Sequence, residues 1–367
     1  MTKLYEKFSE IITEVASIAL EREDVVRGIM LAILARRNVF FLGPPGTAKS
    51  MSVNETKKRI VGATGFDLLF TRFTEPGEVF GALDVAALGQ GVQRRNCSGM
   101  LPEANIGFLD EAFKANSAIL NAMLGILNEH TYRNGPVMLN TPMWSSVVAS
   151  NETPQGEDLG ALYDRFLLRF FVPSLGDDAN VAKMLTAPRT LPAPTATVTV
   201  KDVAKAHDEV DNVTVTPETV AAYIGLRTVL ARNGLHPSDR RFKHAISVMQ
   251  ANAFMAGRDH TLTDDIEVCA SIFWNAPEER AKVRGYVLDV AMPGLKAAVE
   301  ILDSATEQFG LLKLATDEGA RLEAAKKLRV LADKITKDAK GGAARVVAMA
   351  AKVRALQQAG AKLVMGE

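Results

Sequence analysis

From Val39 to Ser50 the chain reads VFFLGPPGTAKS. A short, continuously apolar run ending in Gly-Pro-Pro-Gly reads as a buried strand that breaks into a tight loop and then opens a helix. No other stretch limits the fold as strongly, because a strand, loop and helix of this kind belong in a parallel sheet covered by helices. The loop also has the parts of a phosphate cradle: inward backbone N–H groups, a helix N-terminus, a cation and a hydroxyl. Gly43 and Gly46 permit the tight backbone, Pro44, Pro45 and Thr47 complete the loop, Lys49 is the cation and Ser50 the Mg²⁺ ligand. Ala48 stands where the pattern G-x-x-x-x-G-K-[ST] has its last glycine. We expect a right-handed helical backbone there, which suits alanine as the best helix former.

Three later stretches add to this loop. "NIGFLDEAF" is an apolar strand ending in Asp110 and Glu111. Asp110 would hold Mg²⁺ through water, and Glu111 would orient and deprotonate an attacking water. Either carboxylate alone could simply cap a helix; the ordered pair behind a phosphate loop is the more specific signal. "WSSVVASNETP" is a further buried strand with Asn151 at its polar end, where an amide can reach a terminal phosphate and its water. "GALYDRFLLRFF" offers Arg165 and Arg169, read as lying on a helix. A cation supplied to a neighbouring subunit's phosphate is the arginine-finger device, and it implies a ring.

At 367 residues the chain suggests two or three domains, and 47% apolar with 23% charged residues is an ordinary globular composition. Lys plus Arg equals Asp plus Glu at 43 each, so no overall charge drives it toward nucleic acid or anionic membrane. Two distant cysteines and five histidines lack metal-ligand spacing. The N-terminal stretch mixes charge with apolar residues at helical spacing, so neither a signal peptide nor a membrane span is expected, and the location expected is cytoplasmic. Strand-like and helical runs alternate to residue 186, the expected α/β core. A Pro- and Thr-rich linker occupies 187–200, three helical patterns make a small all-α domain over 201–277, and Ala-, Lys- and Arg-rich helices broken at Pro293-Gly294 and Gly341-Gly342 fill 278–367. The last of these helices either packs as a hairpin on a partner helix or, the reading the charge pattern favours, is a solvated helix that finishes the fold.

"GPPGTAKS", "TRFTEPGEVFG", "GMLPEANIGFLDEAFKANSAILNAMLGILNEHTYRNG", "ASNETP" and "ALYDRFLLR" together resemble the AAA+ superfamily, and within it the MoxR family in its RavA-like branch. The resemblance covers roughly residues 1 to 275, and the family tolerates alanine at the position of Ala48. It implies an α/β AAA+ P-loop NTPase core, a parallel sheet with helices on both faces, followed by an all-α lid. It also implies ATP and Mg²⁺, a homo-hexameric ring, and a partner bearing a von Willebrand factor A domain together with a protein client. A nucleic-acid motor and a metal-chelatase motor subunit are the alternatives. In the family the segment "SDRRFKHAI" starts a lid helix whose arginine, here Arg240 or Arg241, touches the γ-phosphate in cis. Two insertions, "FGALDVAALGQGVQRRNCSGMLPEA" and the hairpin around Asn134-Gly135, would face a central pore. There Arg94 and Arg95 either meet a substrate or form a solvated tip.

Overall fold

The computed structural model describes residues 3–154, 160, 162–188, 190–315, 317–339 and 344–365, so Gly341-Gly342 lies outside the described residues. Helix α1 (Leu4–Ile18) buries Leu4, Phe8, Ile11, Ile12 and Val15, a stripe at helical spacing. Helix α2 (Glu23–Ala35) is buried almost throughout and ends in a left-handed Arg36. Strand β1 (Asn38–Leu42) follows, then α3 (Lys49–Lys58), β2 (Ile60–Val61) and β3 (Gly65–Leu69). After two short helices, α4 (Pro76–Phe80) and α5 (Val85–Gly89), come β4 (Ile106–Asp110) and α6 (Ser117–Leu124). The hairpin β5 (Thr131–Asn134) and β6 (Val137–Asn140) precedes β7 (Ser145–Ser150) and β8 (Phe166–Phe171).

Five of these strands form one sheet in the order β3-β4-β7-β1-β8, with every pair parallel. Strands β1 and β7 are buried along their whole length, which is why Val39–Leu42 and Val147–Ala149 read as continuous apolar runs rather than alternating ones. This is the α/β core expected of the sequence. Arg169 is a departure, since it lies within β8 and not on a helix, while Arg165 sits in the turn that enters that strand. The strand begins at Phe166 because Phe166, Leu167 and Leu168 are needed in the core beside β1.

Helix α7 (Asp178–Thr186) leads to β9 (Val198–Thr199), which pairs with β2, and on to α8 (Val200–Asp211). The expected linker is anchored: the Glu14 carboxylate accepts the N–H groups of Thr195 and Ala196 at 3.0 and 2.7 Å. Then come α9 (Pro217–Arg232), α10 (Asp239–Met255), α11 (Arg280–Ala291), α12 (Leu295–Leu314), α13 (Glu318–Asp338) and α14 (Ala344–Met365). The stretch Thr263–Ser271, read as an α-helix, is 3₁₀ instead. There the Asp265 carboxylate accepts the Leu262 N–H at 2.8 Å, the return bond of a helix N-terminus.

By its internal packing the chain divides into two compact units. The first comprises Met1–Val215, His236–Thr261 and Ser271–Arg280. Helix α10 therefore belongs with the sheet: Phe254 packs on Phe8, and Arg37 Nε donates to Ser247 Oγ at 2.9 Å. The second unit comprises Thr216–Leu235, Leu262–Ala270 and Ala281–Glu367. In it α12, α13 and α14 share a core of Ala298, Ile301, Ala305, Leu328, Ile335, Val346 and Val353, so the last helix finds its partners within its own unit. No helix among the described residues is long and apolar enough to cross a membrane.

Candidate active site

Parallel strands bring their C-terminal ends to one edge, which is where an open α/β sheet binds ligands. Leu42 of β1 is in register with Ser150 of β7, and Ala149 of β7 with Asp110 of β4. Two backbone bonds lock the exits together: Gly43 N–H donates to Ser150 O at 3.1 Å, and Glu111 N–H to Ala149 O at 2.8 Å. The phosphate loop, Asp110 with Glu111, and Asn151 thus stand side by side although they are far apart in sequence.

The loop accepts glycine at Gly43 only, since a Cβ there would lie 2.2 Å from Val172 O. Gly46 is left-handed at φ 77° and faces open space. Ala48 is left-handed too, at φ 64°, ψ 22°, which corrects the right-handed backbone expected of it. Two left-handed residues flanking Thr47 turn successive N–H groups to one side, the concave nest that binds anions. An alanine holds that conformation at a cost of ~1–2 kcal/mol that glycine does not incur.

Lys49 opens α3, is nearly buried, and donates through Nζ to Gly43 O at 2.8 Å and Pro44 O at 2.7 Å. Burial pulls its ammonium below the usual lysine range, against the pull of Asp110 and Glu111. Burial, and then the neighbouring Glu111, push the Asp110 carboxyl upward while Lys49 draws it back. Glu111 is itself left-handed at φ 54°, ψ 32°, with Lys114 Nζ 3.4 Å from its carboxylate. A non-glycine residue held in that region is strain of the kind that collects at working sites. The donor set fits Mg²⁺, with the Ser50 hydroxyl and the Asp110 carboxylate at one edge and an acidic pair whose mutual repulsion a cation would relieve.

The arginines lie at the other edge. Phe166 is in register with Asn38, so Arg165 stands at the N-terminal end of β1 and β8. Five residues of strand separate it from its own phosphate loop, about 15 Å at ~3.3 Å per residue. Asp164 accepts the Ser238 hydroxyl at 2.9 Å, and Ser238 caps α10, so that Arg240 lies 3.9 Å from Asp164 and beside Arg165. A cleft here is lined by Arg36, Arg37, Asn38, Arg165, Arg240 and His244. Burial and the charges of Arg37 and Arg240 hold the His244 imidazole down at about 4. Arg240 and Arg241, expected to reach a γ-phosphate in cis, start a helix that packs on α2, and Arg240 lies beside Asp164 and Arg165.

Arg169 and Arg241 are internal. Arg169 Nη1 donates to Trp274 O at 2.7 Å and Asn275 Oδ1 at 2.9 Å, its Nη2 to Tyr163 O at 2.9 Å, and its guanidinium stacks 3.7 Å from the Tyr163 ring centre. Arg241 donates to Asn275 Oδ1 at 2.7 Å and to the carbonyls of Ile272 and Trp274. Burial and then Arg169 pull Arg241 down to about 9. These two hold the 271–280 segment onto β8 and are almost fully buried. Arg169→Ala is expected to destabilise the fold by ~3–5 kcal/mol, because it leaves several buried acceptors unpaired. A melting temperature lowered by less than a degree would contradict this.

The two insertions are joined. Asn134 accepts the Arg95 N–H at 2.7 Å and donates to Arg95 O at 2.9 Å, while Phe80 stacks on Tyr132. Asn134 is paired with Val137, so the turn is Gly135-Pro136, with Gly135 at φ 62° as its first central residue, rather than Asn134-Gly135. The first insertion holds α5 and an isolated antiparallel bridge between Leu83 and Arg95. Arg94 pairs with Asp84 at 2.8 Å, and Arg95 donates to Gly81 O at 2.8 Å.

Sequence reasoning passed over Arg36, Arg37 and His244 of the cationic cleft, and also Arg22, which touches the phosphate loop. A lone Arg in a charged run carries no signal that it is buried.

Comparison with known proteins adds an independent line. Residues 6–214 match the model of a "MoxR domain in the MoxR-vWA-beta-propeller ternary systems", and residues 218–287 that of an AAA lid domain. Two uncharacterized proteins of Methanocaldococcus jannaschii are 35% and 36% identical, over 83% and 79% of this chain and 79% and 78% of their own lengths. The Chaperone MoxR1 of Mycobacterium tuberculosis is 27% identical over 44% of this chain and 43% of its own. A solved chain from Cytophaga hutchinsonii, described as a candidate ATPase, has a TM-score of 0.63 at 19% identity, covering 78% of this chain and 94% of its own, a likeness of fold. None of these matches singles out a RavA-like branch.

Proposed function

Because this chain belongs to the MoxR family of AAA+ ATPases, we propose that it binds Mg-ATP at the C-terminal edge of its sheet and hydrolyses it in a ring of its own copies. The observation that carries this is the division of labour between the two sheet edges. Lys49, Ser50, Asp110, Glu111 and Asn151 gather at one edge, while Arg165 stands at the other, a strand's length from its own loop, with Arg240 beside it. A site built in halves needs a neighbour to complete it.

The backbone nest at residues 46–48 and the Lys49 ammonium bind the β- and γ-phosphates. Mg²⁺ held by Ser50 and Asp110 would neutralise phosphate charge. Glu111 takes a proton from the water that attacks the γ-phosphorus, Asn151 orients that water, and the bond to the β-phosphate oxygen breaks to leave ADP and phosphate. Charge developing on the transferred group is met by a neighbour's Arg165, with Arg240 beside it. The proposed oligomer is hexameric, and the work is chaperone-like remodelling of protein complexes with a von Willebrand factor A domain partner. The family description and the name of the Mycobacterium relative support this direction.

Lys49→Ala tests the site. Loss of a charged contact to phosphate worth ~1.5–3 kcal/mol should weaken Mg-ATP binding about 10- to 100-fold in a calorimetric titration. Unaltered affinity would place the nucleotide elsewhere.

A further inference from the structure

Arg22 lies where the α1–α2 connection passes behind the phosphate loop, and it is 3% exposed. Its Nε donates to Thr47 O at 3.2 Å, one Nη donates to Pro173 O just beyond β8, and the other donates to Glu21 O at 2.9 Å. The residue before it is locked as well. Glu21 is left-handed at φ 58°, and its carboxylate accepts the N–H groups of Gly176 and Asp177 at 2.9 and 3.0 Å. The Arg22 side chain is thus clamped between the loop and the chain leaving β8.

The peptide joining Thr47 to Ala48 is planar and trans, so its carbonyl and its N–H point to opposite sides. With the Thr47 carbonyl bonded to Arg22, the Ala48 N–H is turned the other way. Ala48 is also the residue that alanine chemistry would release from its left-handed backbone if nothing restrained the peptide before it. We propose that Arg22 is a positioning residue for the phosphate cradle. It holds the Thr47–Ala48 peptide so that the Ala48 N–H faces the phosphates, and keeps Ala48 in a conformation that glycine would adopt unaided. Alanine at this position and a buried arginine behind it form a compensated pair. The inference rests on the nucleotide site proposed above.

The test is a double-mutant cycle read by calorimetric titration with Mg-ATP on the full chain, with the ATP dependence of phosphate release beside it. Arg22→Ala is expected to weaken binding about tenfold, the size of one left-handed alanine, and the loss should fall on KM rather than kcat. Adding Ala48→Gly should recover most of that affinity, because glycine pays no penalty at φ 64°. A merely structural role for Arg22 would not be rescued by a change in the loop. Should Arg22→Ala fold poorly, Arg22→Gln keeps a shorter polar side chain with a single donor group, and the same rescue by Ala48→Gly is expected at a smaller deficit. Arg22 variants that bind Mg-ATP within twofold of the unsubstituted chain would overturn the proposal, as would a deficit that Ala48→Gly leaves intact. If the unsubstituted chain itself bound no Mg-ATP, the nucleotide site would fail first, which separates the two readings.

Discussion

Arg165→Ala is expected to lower ATP turnover by about 10³-fold or more, the usual worth of an arginine finger, while Mg-ATP binding stays within a fewfold of normal. The reason is geometric. Arg165 stands at the N-terminal edge of β1 and β8, about 15 Å from its own loop, so in the proposed ring it would meet a phosphate carried by another copy. Mixing supplies the decisive readout. Arg165→Ala subunits keep an intact cradle, and Lys49→Ala subunits keep an intact arginine, so each is inactive alone. Rings containing both should regain phosphate release wherever an intact cradle meets an intact neighbour. Mixed rings that stay silent would remove Arg165 from the finger role.

Glu111→Gln should cut turnover by about 10²- to 10⁴-fold, the range attributed to a positioned general base, and should leave a protein that binds ATP and stays assembled. The amide keeps the size of the carboxylate and cannot take a proton. It also removes the like charge that raises Asp110, so Mg²⁺-dependent binding should hold or tighten. Single-turnover phosphate release in excess protein distinguishes a chemical block from slow product release. Turnover within tenfold of normal would move the base to another group. Asn151 would then be the residue to examine beside it, since it lies one position beyond β7 at the same edge.

The strands and the acidic pair were legible because burial on both faces leaves a period-free apolar run with a polar end, as in Val39 to Leu42 and Ile106 to Asp110. The three-helix assembly of α12, α13 and α14 was legible only in part, since an alanine-rich stripe indicates that a helix packs but not against what. Arg169 and Arg165 could not be separated in sequence. Each precedes a phenylalanine in one short stretch, yet one is locked against Trp274 and Asn275 and the other lines a cleft. Arg240 and Arg241 differ by a single residue, and 100° of helical rotation sends one to the surface and the other into the core.

What the sequence determined alone is therefore local: the parallel α/β core, the loop with Lys49 and Ser50, and the order in which Asp110, Glu111 and Asn151 follow it. Hydrophobic runs and loop chemistry are written in neighbouring residues, so they can be read without the rest of the chain. Tertiary structure decided which arginine is buried and which edge each one serves. It also decided that α10 joins the sheet, and that Ala48 is held left-handed with Arg22 behind it. Those outcomes depend on contacts between residues far apart in the chain, whose energies no local pattern contains.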